Sequence, residues 1–237
     1  MRKVAVFSDI HGNYQALKSI LDDIKKENFN DIICLGDLVA IGPDSILCLD
    51  AIINSNVKLL LGNHELYQIK GCDIDNLSLE IKEHESFINS MFTDKHKEYL
   101  NSCPLSYEFL DSGHLFSFSH FLIKNSDDTY PFYPIEMIKN NSTDNILINY
   151  PSDYLFFGHI HDNFDAHIDT RFFSCVGSSG CVSGNTTYYT VIEINNNLIN
   201  IKRKYVTYDR KLFEKSFKSK EYPARKEVAS FFGIDLN

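Results

Sequence analysis

The sequence predicts an α/β (α+β) fold, two β-sheets packed together with helices outside, on three observations. Short apolar runs alternate with helix-periodic segments early in the chain, as in βαβ units with parallel strands. Strand-type segments then recur from Tyr107 onward. The 237 residues are 43% hydrophobic, enough for a sizeable core and too apolar for a disordered chain.

Val4–Phe7 reads as a first buried strand. Asn13 caps a helix whose Leu17, Ile20, Leu21 and Ile24 follow helical spacing. Ile32–Leu35 is a second strand, residues 45–54 form a short helix behind Pro43, and Val57–Leu61 is a third strand. Residues 76–101 read as helical, with Leu77, Ile81, Ile88, Met91 and Phe92 on one face. Thr93 caps a second helix there, which Pro104 stops. Further strands are expected at Tyr107–Leu110, Leu115–Ser119, Tyr154–Phe157, Phe164–Ile168, Phe172–Val176, Tyr188–Ile194 and Leu198–Val206. The polar turn at 195–197 makes the last two a hairpin. Residues 211–232 are mostly helical, with a break at Pro223. No linker interrupts the chain, so one domain over 1–237 is expected, with a helical insert at 71–103 and a helical tail at 207–237.

Lysine and arginine number 23 against 32 acidic residues, so the chain lacks the basic surface of a general nucleic-acid binder. No apolar run approaches the roughly 20 residues of a membrane span. Six scattered cysteines suit reduced thiols in the cytoplasm better than a disulfide framework. Residues 201–237 reverse the overall balance, with 10 basic and 5 acidic groups. A solvated helix face is the plainer reading; a flank attracting an anionic substrate is the sharper one.

Five apolar runs end in short loops rich in metal-ligand residue types. VAVF leads to Asp9 and His11, IICL to Asp37, KLLL to Asn63, His64 and Glu65, LFSFS to His120, and DYLFF to His159 and His161. Each signal is weak alone: Asp9 could cap a helix, Gly36-Asp37 could be a turn, and the His159/His161 pair could share a strand face. Their common position beyond strand ends makes them one site. Carboxylates, an amide and imidazoles suit divalent first-row metals. No cysteine lies in these loops, which disfavours a structural zinc site. His84, His96, His114 and His167 are assigned to the surface.

The order Asp-x-His, Gly-Asp, Gly-Asn-His-Glu, His, Gly-His-x-His resembles the calcineurin-like metallophosphoesterases. SDIHGNYQAL, GDLVAIGPD, FTDKHKEYLNSCPL and the late VGSSG are similar to the small bacterial predicted phosphoesterases of that superfamily. The resemblance implies a four-layer sandwich of two mixed sheets flanked by helices, around two divalent ions of manganese, iron, zinc or a similar metal. By matching position, Asp9, His11, Asp37 and His161 would hold one ion. Asp37, Asn63, His120 and His159 would hold the other, and a water between the ions would be the nucleophile. His64 would face the substrate as general acid or transition-state stabiliser. Glu65 would orient an imidazole or be a plain surface carboxylate. The chain lacks the Asp-Arg-Gly after Gly36-Asp37 that protein Ser/Thr phosphatases and symmetrical dinucleoside tetraphosphatases carry, which disfavours both substrate classes. Phe121, where relatives have glycine, would narrow the pocket.

The expected function is therefore hydrolysis of a phosphomonoester or phosphodiester of a small molecule. A non-catalytic scaffold and a nuclease are the alternatives. Tyr130, Phe132 and Tyr133 are candidate rim residues for stacking on a base. Phe87, Met91 and Phe92 of the insert read as ordinary core, with a dimer face as the alternative.

Overall fold

The computed structural model describes residues 1–72, 77–122, 150–196 and 198–236. Among them ten strands form two five-stranded mixed sheets. The first has the order β10 (Leu198–Thr207), β9 (Thr186–Asn195), β1 (Arg2–Phe7), β2 (Asp31–Cys34), β3 (Lys58–Leu59). The second has the order β4 (Ser106–Asp111), β5 (His114–Ser119), β6 (Tyr154–Phe157), β8 (Arg171–Val176), β7 (Asn163–Ile168). β1, β2 and β3 run parallel, as do β5, β6 and β8; the outer pairings are antiparallel.

The two-residue alternation of a strand explains the layering. Val4 and Val6 of β1, with Ile33 of β2, face Phe116, Phe118 and Phe156 of the second sheet. Ala5 and Phe7 point the other way, onto Leu17 and Ile20 of α1 (Tyr14–Ile24) and Cys48, Leu49 and Ile52 of α2 (Ser45–Ile53). Asn13 does cap α1, its side chain accepting from the Ala16 N–H at 3.1 Å.

Three helices follow β3: α3 (Asn63–Lys70), α4 (Leu79–Ser90) and α5 (Asp94–Ser102). Thr93 caps α5 as expected. Ile88, Phe92 and Leu100 enter the core beneath the first sheet, so the core reading holds for Phe92, while Met91 is partly exposed. The tail contains α6 (Arg210–Ser219), α7 (Arg225–Ala229) and a 3-10 turn, Ser230–Phe232. Its Phe213, Phe217 and Phe232 build a separate buried cluster. No helix among the described residues is long and apolar enough to cross a membrane.

Several sequence expectations change. The third strand contracts to two residues, because the chain turns into α3 directly after it. His84 and His96 are buried rather than on the surface. The His96 ring accepts from the Thr93 N–H and meets Asp50. The His84 ring accepts from the Ile41 N–H and meets the Pro223 carbonyl at 3.0 Å, joining the loop after β2 to α4 and the tail.

Candidate metal centre

The parallel strands β1, β2 and β3 of one sheet and β5 and β6 of the other end at the same edge, and the candidate ligands follow there. The β1 and β2 loops run side by side, with the Asp9 N–H on the Gly36 carbonyl at 3.0 Å and the His11 N–H on that of Asp37 at 2.9 Å. The VGSSG segment holds the β1 loop from the other side: the Ser178 hydroxyl and Gly180 N–H both donate to the Asp9 carbonyl. Asp9, His11, Asp37, His159 and His161 all have positive φ, between 47° and 71°. Such conformations cost about 1–3 kcal/mol each and persist where the surroundings enforce them, commonly at functional sites. Gly158 and Gly62 are required by close approach, not by a left-handed turn. A Cβ at Gly158 would strike Ser8 and the Asp9 carboxylate, and one at Gly62 would strike that of Asp37.

The side chains gather in two overlapping groups. His11 Nε2 and His161 Nε2 are 3.0 Å apart. Asp9 Oδ1 is 3.4 Å from His161 Nε2 and 3.8 Å from His11 Nε2, and Asp37 Oδ2 is 3.7 Å from His11 Nε2. The same Asp37 oxygen is 3.2 Å from His120 Nε2. Ligand atoms of Asp37, His120 and His159 all lie within 4.8 Å of one another. Asp37 thus belongs to both groups.

Hydrogen bonding leaves this cluster incomplete. Asp9 Oδ1, His11 Nδ1, Asn63 Oδ1 and both ring nitrogens of His120 are buried without a hydrogen-bond partner. Buried polar atoms are normally paired, so a group of orphaned oxygens and imidazoles fits divalent cations. Burial first, then the neighbouring His120, pushes His159 down to about 4, and burial likewise drives His11 well below its usual value. Both are then neutral near pH 7, the form that ligates a metal. For Asp9, burial acts upward, but His120 and His161 outweigh it and hold the group ionised.

Gly-Asn-His-Glu is the opening of α3, not a loop. Glu65 is fully buried, and its role was missed. Its carboxylate accepts from the N–H groups of Asp37 and Gly62 at 2.8 Å, and of Leu38 and Val39 at 2.8 and 3.2 Å. It therefore pins the Asp37 loop to the start of α3, and neither orients an imidazole nor faces solvent. The Asp37 carboxylate returns the connection by accepting from the His64 N–H at 3.0 Å.

His64 stands over the cluster, its ring 5.0 Å from that of His11. Its Nδ1 bonds Glu85 Oε1 at 2.5 Å, and Gln68 donates to the other Glu85 oxygen at 2.5 Å. Burial pulls the His64 imidazole down, but Glu85 and then Asp37 outweigh it and raise it to about 9. Glu85, on α4, was not anticipated; one glutamate in a helical segment gives no sequence signal of a partner 21 positions away. Cys181, which follows VGSSG, also approaches: its sulfur lies within 4.8 Å of the His11 and His161 ligand atoms. Phe121 is buried against the rings of His120 and His159, at 4.5 and 4.9 Å, and packs with Leu61 and Leu66. It backs the ligands and does not constrict the mouth. Tyr130, Phe132 and Tyr133 lie outside the described residues.

Above these groups opens a cavity of about 480 Å³, walled by His64, His159, His161, Ile41, Ile160 and Phe231 among others. Among the described residues that line it there is no lysine or arginine.

A family model of the calcineurin-like phosphoesterases matches residues 2–163, which span β1 through the His159/His161 pair. The chain belongs to the calcineurin-like phosphoesterase family. The uncharacterized protein MJ0912 of Methanocaldococcus jannaschii is a relative, 32% identical over 166 residues; the match covers 68% of this chain and 63% of the archaeal one. The symmetrical bis(5'-nucleosyl)-tetraphosphatase of Erwinia tasmaniensis is 43% identical over 65 residues, covering 26% of this chain and 24% of that one. Two solved structures share the fold at 18% identity. The metallophosphoesterase from Sphaerobacter thermophilus matches with a TM-score of 0.68, covering 97% of this chain and 99% of its own. The hypothetical protein PH1004 from Pyrococcus horikoshii OT3 matches with a TM-score of 0.69 over the whole of both chains.

Proposed function

We propose that the protein hydrolyses a phosphomonoester or phosphodiester of a small molecule with the aid of two divalent ions. Asp9, His11, Asp37 and His161 hold one ion; Asp37, Asn63, His120 and His159 hold the other. The observation carrying this reading is the convergence of orphaned buried donors into two groups that share the Asp37 carboxylate. When bound, such a pair of ions neutralises charge on phosphoryl oxygens and acidifies water.

The remaining steps belong to the chain itself. His64 is the general acid: Glu85 occupies Nδ1, so Nε2 is the atom left to give a proton to the leaving oxygen. A carboxylate against the far nitrogen fixes both tautomer and ring direction and stabilises the charged ring. Ile41 and Ile160 supply apolar walls that limit water around the reacting phosphate. The partial likeness to a tetraphosphatase supports a phosphorylated small molecule, such as a dinucleotide. The missing Asp-Arg-Gly and the absence of arginine among the described lining residues argue that it would be gripped differently from the substrate of the symmetrical enzymes.

The test is purification, determination of bound metal per chain, and assay of p-nitrophenyl phosphate beside bis(p-nitrophenyl) phosphate with added manganese. Two ions per chain and clear turnover of one ester are expected. Bound metal with no turnover of either would instead favour a non-catalytic scaffold.

A further inference from the structure

Phe231 is a large apolar side chain left 49% exposed, and it forms part of the cavity wall. Isolated exposed apolar residues are ordinary; the way this one is held is not. The next residue, Phe232, is fully buried, its ring 5.0 and 5.6 Å from those of Phe213 and Phe217. The Arg210 guanidinium donates to the Phe232 carbonyl at 2.6 Å. The turn closes with the Gly233 N–H on Ser230 and the Ile234 N–H on Ala229, at 3.0 and 3.1 Å. The backbone beneath Phe231 is thus fastened on both sides while its ring projects to the mouth, meeting the His161 ring near edge-on, centroids 6.0 Å apart.

The rest of the lining defines what that ring can recognise. Ile41 and Ile160 are almost covered, and no described lining residue is a lysine or an arginine. Bound metal ions would take the phosphate, so the remainder of the substrate meets a mixed rim of Ile41, Ile160, Asp162 and the Phe231 ring. A rigid phenyl face binds flat rings by stacking, with little ordering cost.

We propose that Phe231 stacks on an aromatic ring carried by the substrate, so that nucleobase-type phosphoesters are preferred over esters of open or sugar-only groups. This rests on the phosphoester reading of the same cavity and names the substrate class within it.

Equilibrium binding to manganese-loaded protein tests it, with AMP and ribose 5-phosphate as probes that differ only in the base. AMP is expected to bind about tenfold tighter, the order of one stacked base. Phe231→Ala should bring the two affinities together by weakening AMP alone. The chain contains no tryptophan, so Phe231→Trp gives a single indole at the rim. AMP should quench its emission and ribose 5-phosphate should not. Equal affinities in the parent protein, a preference that survives Phe231→Ala, or no binding of AMP would each overturn the proposal. Turnover of p-nitrophenyl phosphate is scored separately. Turnover with no base preference sinks only the stacking role. Base-selective binding without turnover sinks only the hydrolase reading.

Discussion

Glu85 and His64 face each other from different helices, both almost wholly buried. An ionised carboxylate in that position holds the imidazole ring by one nitrogen and leaves the other for the substrate. Glu85→Gln keeps the shape and removes the charge. The variant should retain its metals and lose turnover by roughly 10–100-fold, the usual range for residues acting through a catalytic neighbour. Metal analysis beside steady-state rates checks this; unchanged rates would deny Glu85 the role. His64→Ala should also keep both ions, and full activity in that variant would remove His64 from the proton path.

At the scale of elements, Glu65 is the fastener between the β2 loop and α3. Four backbone N–H groups converge on its two oxygens. In Glu65→Gln an NH2 replaces one acceptor and faces donors, which leaves at least one buried N–H unpaired. A loss of about 2 kcal/mol or more is expected, read as a lower urea midpoint with an unchanged m-value. Weaker metal binding should accompany it, because Asp37 rides on that loop. A midpoint equal to the parent's would show that the loop is held by something else. The same scale explains why the tail matters to the cavity: α6, α7 and the 3-10 turn are joined through Phe213, Phe217 and Phe232, and that cluster is what sets Phe231 in place.

For the whole molecule, the centre is a junction of two sheets, where buried carboxylates and imidazoles from the strand ends of both converge. Without cations the buried carboxylates and imidazoles of that junction lack full compensation. Ligands that bind only the folded chain add about 4 kcal/mol at a thousandfold excess over Kd. For a chain of this size that is a rise in Tm of roughly 8–16 °C. Thermal unfolding with a chelator and then with excess manganese measures it, and coincident curves would speak against a metal centre. Asp37→Ala should abolish most of the difference, since its carboxylate lies in both groups.

The order of the candidate ligands along the chain, their position beyond strand ends and the buried strand β1 were all legible in the sequence. Each is a local pattern: a short apolar run, a helix cap, or a polar residue after such a run. The start of α3 was hidden because glycine and asparagine after a strand read as a turn, and the helix follows only once Glu65 has bonded back to Gly62. Glu85, Cys181 and Phe231 were hidden for a different reason. Their significance lies in what they approach across 20 to 170 positions of chain, and a single acid, thiol or phenyl ring has no periodicity to announce a distant partner. The sequence by itself determined which side chains could bind cations and that strand ends would present them. Only the tertiary structure decided which carboxylate holds His64 and which ring stands at the mouth, because those pairings are made by the packing of α4 and the tail against the sheet edge.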